Sequence, residues 1–79
     1  MSVKYEIENI ASAIVDTLQE NQFFEEHPFV GQSELYTKLI ELMTEKYDTT
    51  GEMLLTDKEF LKAANEVSEA AIEIGRAHV

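Results

Sequence analysis

The chain has no cysteine, which excludes a disulfide, a thiolate nucleophile and a cysteine-type zinc site. It is short of positive charge. Six basic residues face sixteen acidic ones, and no Lys or Arg occurs between Lys4 and Lys38. Seven carboxylates, Glu6, Glu8, Asp16, Glu20, Glu25, Glu26 and Glu34, fall in that basic-free stretch. A formal charge of −10 excludes tight binding to bare nucleic acid, because that affinity comes from Lys and Arg neutralising phosphates. It also disfavours anionic membrane surfaces. No apolar run approaches the roughly 18 residues of a membrane span, and the start, MSVKYEIENI, has no apolar core of the signal-peptide type. The expectation is a cytoplasmic protein. Proline and glycine are scarce, at one and three residues, and they punctuate connections rather than fill them.

What is present is helical periodicity. With 79 residues and 44% apolar content the chain is expected to be a single helical domain, residues 1–79, with a modest core. In the first segment Val3, Ile7, Ile10, Ile14 and Leu18 recur at spacings of three and four, widened by Ala11 and Val15. This predicts a helix over about 3–20. Leu35, Leu39, Leu42 and Met43, flanked by Tyr36, Ile40 and Tyr47, predict a second over about 33–47. The third, about 57–74, opens with Thr56 and Glu59 as a T-x-x-E capping box and with Leu55 and Phe60 at the positions of a hydrophobic staple. Its seam is Phe60, Ala64, Val67, Ala71 and Ile74, and Gly75 is placed at C′ with Arg76 beside the negative helix end. No sustained alternation suggests a strand. The expected fold is all-α, a compact three-helix bundle, with a core of Ile7, Ile10, Ile14, Leu18, Leu35, Leu39, Leu42, Phe60, Val67 and Ile74.

Residues 48–59, DTTGEMLLTDKE, resemble an EF-hand calcium loop. Asp48 stands at position one, Glu59 at twelve and the apolar Leu55 at eight. The resemblance implies a calcium-responsive module with ligands from Asp48, Thr50, Glu52, the Leu54 carbonyl, Thr56 and Glu59. The loop departs from the pattern at position six, where Met53 replaces the glycine, and Gly51 comes two places early. The competing reading makes Glu59 the third residue of a capped helix.

Two other features bear on function. Phe23, Phe24 and Phe29 fall within residues 22–32, where exposed rings would anchor a partner and packed rings would close one end of the bundle. Asp16 and Glu20 on the first helix, and Glu66, Glu69 and Glu73 on the third, are rows of carboxylates spaced roughly 5–10 Å apart along a helix. Lys62 and Arg76 offset the second row in part. Such rows keep a small protein in solution, but −10 exceeds the magnitude of about 2–8 that solubility calls for.

His27 and His78 have no metal-binding spacing, and no phosphate loop or nucleophile triad is present, so no enzyme and no cofactor is expected. In size, charge and lack of cysteine the chain resembles phage or plasmid inhibitors that mimic DNA. That resemblance implies a basic protein surface as the partner, met by Asp16, Glu20, Glu25, Glu26, Glu66, Glu69 and Glu73 with Phe23, Phe24 and Phe29 as anchors. The alanines of the third helix also allow a homodimer.

Overall fold

The computed structural model describes residues 2–77, with side chains described to Ile74. Every element among them is helical: α1 (Val3–Glu20), α2 (Phe23–Glu26), α3 (Gln32–Thr50) and α4 (Asp57–Ala77). The three expected helices are present, and a fourth, the single turn α2, interrupts the first connection. Gln22 makes that turn possible by adopting a left-handed backbone, φ 61°, which reverses the chain directly after α1. α4 runs through Gly75 to Ala77, so Gly75 does not stop it. With no proline nearby and a single glycine costing about 1 kcal/mol, the helix has no local reason to end there. The Arg76 side chain and His78 lie outside the described residues.

α3 is the central element. It packs against α1 on one side and α4 on the other, and α2 packs on α1. The core is Ile7, Ala11 and Val15 from α1, Leu35, Leu39 and Met43 from α3, Ala63, Ala64 and Val67 from α4, and Val30 from the connection. On α1 the fully covered row is therefore Ile7–Ala11–Val15, at strict i, i+4 spacing. The expected core residues Ile10, Ile14 and Leu18 form a second, half-buried row beside it. Small Ala11 and Ala63, both fully buried, let backbones approach where larger residues would hold the helices apart.

Ile74, expected in the core, is 61% exposed. It lies on the same stripe of α4 as Val67, two turns further on, but α3 does not extend far enough to cover it. The molecule measures 45 × 27 × 21 Å. Its long axis exceeds the length of about 31 Å for the 21-residue α4, so the helices are staggered rather than flush.

Candidate functional site

α3 ends where Gly51 takes the left-handed conformation, φ 79°, with its N–H donating to Tyr47 O at 2.9 Å. This is the C-terminal cap that glycine favours. Asp48 and Thr50 consequently belong to the last turn of a helix rather than to a ligand loop. The Thr50 hydroxyl donates to Lys46 O at 2.8 Å and accepts from the Glu52 N–H at 3.2 Å. Across the connection the capping box forms as spelled. The Glu59 N–H donates to Thr56 Oγ1 at 3.2 Å, and the Thr56 N–H donates to Glu59 Oε1 at 2.9 Å.

Lys46 completes this cluster. Its ammonium donates to Glu59 Oε1 at 2.7 Å and to the Leu54 carbonyl at 2.8 Å. These are the groups assigned to positions seven and twelve of the calcium loop, and a side chain from α3 holds both. The Lys46 bond, followed by the two Thr56 bonds, lowers the Glu59 pKa from 4.5 to about 2. Asp48, Glu52 and Glu59 are not brought together as a set of carboxylates. Among the described residues no group of three or more His, Asp or Glu is placed to hold a metal ion.

The aromatic segment divides. Phe23 and Phe24 are half-buried and pack against the core in an edge-to-face pair, ring centroids 5.4 Å apart. Phe23 also meets Phe60 of α4 at 6.0 Å, and the exposed His27 stacks on its other side at 4.2 Å. The His27 Nδ1 lies 3.0 Å from Phe23 O, which ties the imidazole to α2. Phe29 remains 57% exposed. Val30, next to it, is 5% exposed and is the residue that pins the segment to the core.

The carboxylates of the basic-free stretch are distributed over α1, α2 and the start of α3. The second half of α1 borders the first turns of α3, with Asp16 beside Gln32, Ser33 and Tyr36. α2 borders the middle of α4, and Glu66 to Ile74 of α4 border Ser33 to Glu41 of α3. Asp16, Glu20, Glu25, Glu26, Glu34, Glu69 and Glu73 are all exposed. Lys38 is tied to Glu66 at 2.7 Å. That bond raises the Lys38 pKa and lowers that of Glu66, with Lys62 adding a weaker pull on Glu66. In the expected row Glu66–Glu69–Glu73, Glu66 is half of an ion pair, whereas Glu69 and Glu73 are exposed and form no ion pair among the described residues. Reading along the chain missed Lys38 and Lys46 as partners, because each pair joins two helices.

A groove of about 670 Å³ lies beside the Lys38–Glu66 pair, between α3 and α4. Its apolar lining is Phe29, Val67, Ala70, Ala71 and Ile74. The signal for it was the seam itself, which continues along α4 beyond the reach of α3. No protein-family model, curated protein or solved structure matches the chain.

Proposed function

We propose that this chain is a non-enzymatic binding protein that docks on a basic surface of a partner protein, as a nucleic-acid mimic of the inhibitor type. The observation that carries the reading is the set of exposed carboxylates on α1, α2 and α4 that form no ion pair among the described residues, together with the exposed ring of Phe29. Asp16 and Glu20 on α1, Glu25 and Glu26 on α2, and Glu69 and Glu73 on α4 offer charge from three elements, as separated phosphates do. Charge of this kind steers encounter and raises the association rate, and an anchored ring slows departure.

Helix stability does not account for the placement. Glu20 is the last residue of α1, at the negative end of its dipole, and no basic residue occupies that last turn. A carboxylate placed where the helix disfavours it supports a role outside folding.

The test is a low-salt pull-down with the intact chain, read by mass spectrometry and followed by competition with duplex DNA. A basic, nucleic-acid-binding protein that DNA displaces is the expected result. Reversing Glu69 and Glu73 to Lys should slow its association more than it speeds dissociation. Recovery of no basic partner would end the proposal.

A further inference from the structure

The groove between α3 and α4 is the part of the molecule that its own fold leaves unfinished. On α4, Ala63 and Val67 face α3 and are buried, whereas Ala70 and Ile74, on the same stripe, are exposed. The stripe runs on for about 12 Å from Glu66 to Ile74. Phe29 closes one wall, and Ser33, Thr37 and Lys38 of α3 form another. Two of the five large apolar side chains exposed among the described residues, Phe29 and Ile74, line this one groove.

Its charged margin decides the occupant. Glu34 and Glu41 lie on the α3 side and Glu66 on the α4 side, against the single ammonium of Lys38, which Glu66 already holds. Glu73, two turns beyond Glu66 and on nearly the same line of the helix, extends the α4 margin. We propose that this groove receives a basic amphipathic helix of a partner protein. The helix would lay two to three turns of apolar side chains over Val67, Ala70 and Ile74 and set Lys or Arg against the carboxylates on both margins. A second copy of this chain fits less well. It also carries −10, and a two-fold pairing would bring the Glu66–Glu69–Glu73 row onto its own image. The inference rests on the docking reading above and assigns that docking a place and a partner shape.

The probe is a synthetic 18-residue peptide with Leu at i, i+3, i+4 and i+7 spacing and Lys elsewhere, titrated into the isotopically labelled full chain. The controls are a scrambled peptide of the same composition and a peptide with Glu in place of every Lys. Amide shifts confined to residues 28–41 and 66–74 support the proposal. So does a loss of about tenfold or more in affinity for Ile74→Ser and for Phe29→Ser, the burial value of one large side chain. Circular dichroism checks that both variants remain folded. Equal binding of the scrambled peptide overturns the groove and leaves the charge-driven docking reading standing. Shifts centred on Ile10–Leu18 and Leu55–Phe60 overturn it in favour of the α1–α4 side. Self-association abolished by Ile74→Ser overturns it in favour of a second copy. Failure of both cationic peptides to bind overturns the groove and the docking reading together.

Discussion

Glu59 is the residue in which the most structure converges. One carboxylate oxygen accepts from the Thr56 N–H and from Lys46, so the start of α4 is capped and tied to α3 by the same group. Thr56→Ala removes the hydroxyl that accepts from the Glu59 N–H. A loss of about 1 kcal/mol is expected, or about 4–8 °C in Tm for a domain of this size. The pH dependence follows from the lowered pKa. A carboxyl held at about 2 instead of 4.5 contributes fully above pH 4.5, and the contribution is lost as pH falls through about 2. In Lys46→Met the Glu59 carboxyl should titrate closer to 4.5, which a carboxyl-detected NMR titration measures directly. The same ammonium bears on calcium. Calcium and magnesium at equal ionic strength should shift amides 48–59 alike, because Lys46 already neutralises Glu59 and occupies the Leu54 carbonyl with a hydrogen bond. Calcium-selective shifts that disappear in Glu59→Gln would restore the EF-hand reading.

At the scale of elements, the end of α3 and the start of α4 have local causes, and the burial of each helix face has a non-local one. Gly51 is left-handed with open space around its α-carbon, so Gly51→Ala carries backbone strain without a clash. It should cost about 1–2 kcal/mol in a denaturant titration. Gln22 holds the corresponding conformation without glycine's freedom, and Gln22→Gly is expected to be neutral or to stabilise by about 0.5 kcal/mol. The faces separate by burial. Leu39 is fully buried in the core, so Leu39→Ala should cost about 2–5 kcal/mol. Ile74 belongs to an equally regular stripe but is 61% exposed. Ile74→Ser should therefore stay within about 0.5 kcal/mol of the unmodified chain. That near-neutrality is what makes Ile74 a usable probe of binding.

The whole molecule is organised by its charge. Two ion pairs, Lys38–Glu66 and Lys46–Glu59, are present among the described residues, and both join α3 to α4. Most of the sixteen carboxylates repel one another across a small volume. Added monovalent salt should consequently raise Tm while weakening any bound basic partner, since it screens both repulsion and attraction. Glu20→Gln is predicted to do the same at constant salt. Relief at the α1 terminus should raise Tm by about 1–4 °C, while association with the basic partner protein slows. A substitution that stabilised the fold and strengthened binding as well would contradict the assignment of that carboxylate to docking.

The sequence by itself determined the elements that local forces make. Periodic apolar residues set α1 to Val3–Glu20, and the T-x-x-E pair set the start of α4 and formed with the partners its spelling implies. These were legible because each involves residues within a turn or two of one another. The single turn α2 was not legible, because Gln22 is an uncommon residue for a left-handed backbone and Phe23 stays in place through contacts with Phe60 and His27. Tertiary structure decided which residues of each stripe are covered. Ile10 and Ile14 gave way to Ala11 and Val15 because α3 approaches from that side. It also decided that Lys46, from the preceding helix, would hold two of the groups a calcium loop needs. Ile74 shows the difference most plainly. Its position on the seam of α4 follows from helical period, but its exposure follows from the length and stagger of another helix, which no pattern within α4 encodes.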